Sequence, residues 1–265
     1  MNKKNHKPNY LRKNEEKTGA QKANQDKVKE TIKAFAIALL AAALLRVFVV
    51  QAFRIPTGSM KDTLLVGDFL LVNKFVYGVR TPDQIPMVNA SVPSFRLPSF
   101  KVPQRGDVVV FKHPPFPKPG DEVLDYIKRC IAIGGDTVDV VGLKVFVNGK
   151  PEGKASDLGQ FFDASENGGR YIRRTQIDSP TGKSYVIRHY EGLEHHQKQR
   201  WIVPKGHYFM MGDNRDNSLD SRSWGILPYE NVVGEALVIY FSWDKFADWN
   251  LLERVRWSRL AQLIK

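Results

Sequence analysis

Twenty residues, Ala34 to Phe53, are apolar apart from Arg46 and Gln51, and a helix needs about that length to cross the hydrocarbon of a bilayer. An arginine costs roughly 2.5–3.5 kcal/mol at the centre of such a helix and less toward its end, where the head group reaches water. The apolar neighbours offset that cost, so the run reads as a single transmembrane anchor. Residues 1–33 hold ten Lys or Arg against four acids and scarcely any large apolar residue, the composition of a disordered basic tail. Only Arg54, Lys61 and Lys74 follow in residues 54–74, which places the tail in the cytoplasm and the rest of the chain outside. Two rival readings fit the same run: a cleaved signal peptide, because Val50-Gln51-Ala52 spaces small residues for cleavage, and a buried core helix interrupted at Arg46.

Beyond the anchor, short β-branched runs alternate with turn residues: Phe69–Val72, Asp107–Lys112, Tyr126–Ile133, Thr137–Val141, Val145–Val147, Ser184–Ile187, Trp201–Val203, His207–Met211 and Val232–Phe241. Strands at this spacing without helical patterns between them predict a mostly β, antiparallel fold. Asn148-Gly149 marks a tight hairpin. The Pro- and Ser-rich stretch Thr81–Gln104 predicts a surface loop or extended hairpin, and residues 149–200, polar and Gly-rich, an inserted region with weak strands. The resulting division is a basic tail (1–33), an anchor (34–53), a β domain in two parts (54–148 and 201–245), an inserted smaller region (149–200) and a C-terminal basic amphipathic helix (246–265). That last helix fits either the membrane surface or a docked position on the β domain. The net charge of +12 admits nucleic acid or an anionic membrane as a partner, but its concentration at the termini, beside an anchor, favours the membrane. The single cysteine, Cys130, excludes an internal disulfide and reads as a small buried residue; a thiolate nucleophile would need a partner that no nearby histidine supplies.

Chemistry enters through Lys128, which sits in Asp125-Tyr126-Ile127-Lys128-Arg129-Cys130-Ile131-Ala132-Ile133. A buried ammonium is expensive unless it loses its proton, and a neutral amine beside a serine hydroxyl is a general base. A lysine at a strand edge with its head group in water is the plainer alternative. Ser59, in the Pro56-Thr57-Gly58-Ser59-Met60 turn six residues past the anchor, is the candidate nucleophile, although serines in Gly-Ser turns commonly serve only the turn.

Four blocks occur in order: Pro56-Thr57-Gly58-Ser59-Met60, Arg105-Gly106-Asp107 with its following strand, the lysine strand ending in Gly134-Gly135-Asp136, and Gly212-Asp213-Asn214-Arg215-Asp216-Asn217-Ser218-Leu219-Asp220-Ser221-Arg222. Together they strongly resemble the bacterial type I signal peptidases, membrane-bound Ser-Lys proteases, from about residue 34 to the C-terminus. The resemblance implies that Ser59 attacks the scissile carbonyl and Lys128 is the general base. It implies an oxyanion site from the Ser59 N–H and the hydroxyl of Thr57, where many members carry serine. Ser218 would orient the lysine, Arg129 would pair with Asp213, and Asp220 and Arg222 would brace the loop. Phe53, Ile55, Pro56, Tyr126 and Ile127 would line shallow pockets for small side chains. It further implies a catalytic β domain with an inserted one, no cofactor, and an enzyme acting as a monomer in the bacterial cytoplasmic membrane. Its partners would be preprotein signal peptides and the lipid bilayer, not nucleic acid, with the N-terminus cytoplasmic and the catalytic domain periplasmic or extracellular.

Other constellations are weak. His195-His196 lies in a polar stretch without spaced partners for a metal, the Gly212–Arg222 run lacks the ligand spacing of a calcium loop, and Asn89-Ala90-Ser91 is a glycosylation triplet of the kind that arises by chance. A related self-cleaving Ser-Lys protease, or a single-pass scaffold without catalysis, remain the competing functions. Self-cleavage after Ala52 is a further minor possibility.

Overall fold

The computed structural model describes residues 27–43, 49–80, 95–113, 124–166, 168–196, 198–244 and 251–264. The greater part of the basic tail, residues 44–48 of the expected anchor, and residues 81–94, with the Asn89 triplet, lie outside them. The chain divides into two units, Met1–Val47 and Phe48–Lys265. In the first, helix α1 spans 27–43 with every described residue exposed, including Ile32, Phe35, Leu39 and Leu40. Among the described residues no helix is long and apolar enough to cross a membrane.

The end of the expected anchor is not helical. Val50–Arg54 forms β1, paired antiparallel with β2 (Asp68–Asn73) from Val50 opposite Asn73 to Arg54 opposite Phe69. β-branched Val50 suits a strand, and the edge of β2 supplies backbone partners that a helix would satisfy internally. β2 alternates buried and half-buried residues, with Leu70 and Val72 inward, which is the period-two pattern of a strand covered on one face.

Next come β3 (Val108–His113) and β4 (Leu124–Ile133), then β5 (Thr137–Val141), β6 (Lys144–Val147) and β7 (Lys150–Pro151). The β6–β7 turn carries Asn148 and Gly149 both at positive φ, 53° and 74°, the geometry that favours Asn-Gly in two-residue hairpins. β8 (Lys154–Asp163), β9 (Arg170–Asp178) and β10 (Ser184–Tyr190) form a separate three-stranded sheet. β11 (Lys198–Ile202) then returns to β5, completing a four-stranded sheet ordered β11-β5-β6-β7. The main sheet gains β12 (His207–Met211), β13 (Leu227–Pro228) after the one-turn helix α2 (Ser221–Trp224), and β14 (Val232–Ser242). Its order is β1-β2-β14-β3-β4-β12-β13.

The excursion from the main sheet starts at β5, before residue 149, and within it β8 and β9 run for ten and nine residues. β8 and β9 escape a hydrophobicity reading because nearly all of β8 faces solvent, while β9 buries Ile172 and Ile177 among polar neighbours. The main sheet buries both faces: Val108 and Val110 pack with Leu70, Val72 and Ile239, whereas Val109 and Phe111 pack with Cys130 and Met210.

The C-terminus is not one amphipathic helix. Its described part is a single turn, α3 (Leu251–Arg254), a 3-10 turn (Trp257–Arg259) and a short strand, β15 (Gln262–Leu263), paired with β14. Arg259 anchors this path. Its Nε lies 3.0 Å from the buried Asp68 carboxylate, and its Nη2 donates to Thr63 O at 3.0 Å. Asp68, with no exposed surface, also accepts from Ser242 Oγ at 2.7 Å. A buried carboxylate demands such partners, and meeting that demand outweighs continued helix. Arg259→Ala leaves Asp68 short of its cation and should cost about 3 kcal/mol, read as a fall in the urea midpoint with an unchanged m-value.

Candidate active site

β4 presents Lys128 and Arg129 to opposite faces of the main sheet, as strand alternation requires. Lys128 is 4% exposed, and its Nζ lies 2.7 Å from Ser59 Oγ and 3.0 Å from Ile127 O. Among the described residues no carboxylate pairs with it. Burial pulls its pKa down to about 8, against the weaker opposing fields of Asp220 and Asp213. The aromatic ring of Tyr126, two residues back on the strand, has its centroid 5.3 Å from Nζ.

Ser59, 8% exposed, sits in the loop between β1 and β2. Met60 and Leu64, fully buried on either side of a turn closed by Leu64 N–H to Met60 O at 2.7 Å, root that loop in the core. From the other side the Gly212–Arg222 loop holds it: Asn214 N–H donates to Ser59 O at 3.0 Å and Asn214 Nδ2 to Gly58 O at 3.1 Å. The approach is close enough that a Cβ on Gly212 would stand 2.5 Å from Ser59 O and overlap Ser218. The Ser59 N–H and the exposed Thr57 hydroxyl make no hydrogen bond among the described residues, so the two expected oxyanion donors are both uncommitted.

Arg129 has no exposed surface. Its Nε and Nη2 grip the two Asp213 oxygens at 2.8 and 2.7 Å, its Nη1 donates to Gly106 O at 2.8 Å, and the Tyr185 ring centroid lies 4.0 Å from Cζ. Asp220 caps α2 by accepting from Arg222 N–H, accepts the Arg222 guanidinium at 2.8 Å through both oxygens, and takes Gly212 N–H at 3.0 Å. Burial alone would raise its pKa, but these donors, led by Arg222, hold it below the usual range. Ser218 Oγ is buried beside Asp220 and favours its ionised form, yet makes no hydrogen bond of good geometry. The structure thus puts Ser218 next to the Asp220 brace and over Gly212, and shows no bond from it to Lys128.

The five expected pocket residues separate. Ile55, 3% exposed, packs into the core with Met60 and Leu64 and presents no open wall. Phe53 and Ile127 are half-buried against the same cluster, Tyr126 is half-buried against Phe111 on the opposite face, and Pro56 is exposed. Beside them β4 is flanked unequally by its two neighbouring strands. Its Leu124–Arg129 half pairs with β3, but β12 reaches only from Arg129 to Ile133. Among the described residues the β12 ladder does not extend over Leu124–Lys128.

One part of the site escaped the sequence. Glu166, 3% exposed in the β8–β9 connection, accepts from Lys61 Nζ at 2.6 Å, Asn214 Nδ2 at 3.1 Å, Asn217 Nδ2 at 2.8 Å and Tyr190 Oη at 3.0 Å. The Lys61 stem crosses Gly58, its Cε 3.0 Å from where a Cβ would stand. The three-stranded sheet thus braces the loop that carries Ser59. Lys61, next but one to Ser59, was the available signal, but nothing local shows which carboxylate it meets.

The family model described as "Signal peptidase, peptidase S26" matches residues 28–243. A Pseudomonas aeruginosa protein named signal peptidase I is 40% identical over 80% of this chain and 72% of its own length. Counterparts of the same name in Aquifex aeolicus and Rickettsia typhi are 37% and 31% identical, covering 81% and 88% of this chain and 84% and 92% of theirs.

Gly212→Ala should be among the most damaging single-methyl changes in the molecule. Overpacking of this kind costs about 1–3 kcal/mol, and any relief must move Ser59 or Ser218. Activity should fall at least tenfold more than the stability loss explains, measured as kcat/KM below the onset of thermal unfolding.

Proposed function

Because the chain belongs to the signal peptidase family, peptidase S26, we propose that it removes signal peptides from preproteins with Ser59 as nucleophile and Lys128 as general base. The observation that carries the assignment is the buried 2.7 Å contact between Lys128 Nζ and Ser59 Oγ, made by a lysine whose pKa of about 8 leaves a useful neutral fraction near neutral pH. Arg129, the neighbouring residue, lies on the other face of the strand with its guanidinium engaged by Asp213.

The neutral Lys128 amine accepts the Ser59 proton as Oγ bonds to the scissile carbonyl carbon. Negative charge then develops on the carbonyl oxygen, where the free Ser59 N–H and the Thr57 hydroxyl supply donors. Preformed donors of this kind are worth about a hundred- to a thousand-fold each. The Lys128 ammonium next protonates the departing amine, leaving an acyl-enzyme on Ser59. Water deprotonated by Lys128 releases it. Ser218, through the Asp220 brace, keeps the loop opposite Lys128 in register. The substrate lies extended beside the half of β4 that β12 does not reach, next to Ile127, with Phe53 and Pro56 nearby in the nucleophile segment.

Membrane attachment completes the proposal. Helix α1 exposes Phe35, Leu39 and Leu40 at 68%, 70% and 62%, a continuous apolar surface that lipid would cover. With the basic tail on the cytoplasmic side, the chain is held at the bacterial cytoplasmic membrane and its β domain meets preproteins as they emerge. It acts alone and without a cofactor.

Cleavage of a purified preprotein in detergent, with the product N-terminus sequenced, tests the assignment. Ser59→Ala and Lys128→Met should each lose at least a thousandfold in kcat/KM while keeping the wild-type unfolding temperature within a few degrees. Activity surviving in either variant would move the weight to another nucleophile or base.

The pH dependence has a definite sign. Catalysis needs the neutral amine, so activity is lost as pH falls through about 8. In stopped-time assays kcat/KM should drop about tenfold per unit below that point and level off above it. A profile flat from pH 5 to 9 would exclude Lys128 as the titrating base.

A further inference from the structure

Away from Ser59 and Lys128, three groups from separate segments converge: His189 on β10, His195 in the connection to β11, and Asp216 in the Gly212–Arg222 loop. His189 Nδ1 lies 3.6 Å from Asp216 Oδ2, and His195 Nε2 lies 3.2 Å from Asp216 Oδ1. The three ligand atoms fall within 4.8 Å of one another. The His189 side chain is only 8% exposed, and both inward-facing ring nitrogens are buried without a hydrogen bond of acceptable geometry. Two orphaned buried nitrogens aimed at one carboxylate are costly as they stand.

We propose that His189, His195 and Asp216 form a three-ligand site for a zinc-type divalent cation, which fastens the inserted sheet to the loop opposite Lys128. Ligand atoms bound at about 2.0–2.1 Å with tetrahedral angles are roughly 3.3–3.4 Å apart; His195 Nε2 stands 3.2 Å from Asp216 Oδ1, and His189 Nδ1 faces the other oxygen of the same carboxylate at 3.6 Å. Two imidazoles and a carboxylate suit a borderline transition ion such as zinc better than calcium or magnesium, with water in the fourth position. The surrounding groups fit the role. Asp216 Oδ2 accepts Tyr190 N–H at 2.7 Å, the outer contact that fixes a ligating carboxylate. The nearest fixed cation, Arg215, is neutralised by Glu152 at 2.8 and 2.7 Å.

The geometry also explains why His195-His196 gave no metal signal in the sequence. His195 turns inward, while His196 is 84% exposed beside Glu194. The ligands of His195 come from six residues before it and from a loop twenty-one residues after it.

Full-length, untagged protein in detergent, stripped with a chelator, is titrated with zinc chloride by calorimetry, and its thermal unfolding is followed. One equivalent should bind, and zinc at a hundredfold excess over its Kd should raise the unfolding temperature by about 5–10 °C. His195→Ala should lose both effects, and His196→Ala should keep both. X-ray absorption of the loaded wild type should show two imidazole nitrogens and oxygen around the metal. Absence of binding to the wild type, equal binding by His195→Ala, or a coordination shell with fewer than two imidazoles would overturn the site.

Discussion

The ion pair between Arg129 and Asp213 holds the catalytic parts together. Both side chains are withdrawn from water, which is favourable only because the geometry is bidentate and the remaining donors are used. Arg129 comes from β4, Asp213 from the loop beyond β12, and the same guanidinium takes the Gly106 carbonyl ahead of β3 and lies against Tyr185 of β10. Four segments distant in sequence thus meet at one planar group. With Asp213 fixed, Asn214 is delivered to the carbonyls of Gly58 and Ser59, so the position of Ser59 follows from the pair.

Adjacent residues on β4 show how environment alone assigns charge. Arg129 is sunk deeper than Lys128 and meets a carboxylate at contact distance through both arms of its planar fork. Lys128, one residue earlier and on the other face, meets a hydroxyl and a carbonyl. Its nearest acids, Asp213 and Asp220, are occupied by Arg129 and Arg222, so they act on it only at a distance. The two arginines therefore serve the lysine by engaging the carboxylates that would otherwise keep it charged. The result is a lysine whose pKa is drawn down to about 8 in a site dense with acids.

What the sequence disclosed follows a physical division. Strand runs with period two, the Asn148-Gly149 turn and the anomaly of Lys128 in an apolar stretch are local, because each depends on the covalent neighbours alone. The contact of Lys61 with Glu166 and the meeting of His189, His195 and Asp216 depend on which loops the topology brings together, and no spacing rule encodes that. β8 and β9 were hidden for another reason: their inward residues are few, and ladder hydrogen bonds with cross-strand ion pairs such as Asp157 with Arg173 substitute for an apolar face. Val50–Phe53 and the C-terminal segment misled in the opposite direction. Their hydrophobicity and periodicity were real, but a free strand edge at β2 and a buried carboxylate at Asp68 dictated the backbone instead.

The half of β4 that β12 does not reach has a consequence for breadth. A strand edge offers N–H and C=O groups that every polypeptide answers equally, whatever its side chains. Successive residues of an added strand point to opposite sides, so only every second one meets the protein wall, and the intervening ones face away. A binding surface of this kind discriminates on a few alternate positions and ignores the rest. If substrate pairs with β4 as proposed, one short edge beside one lysine is suited to a large and unrelated clientele, whose members need agree only on the size of two or three side chains.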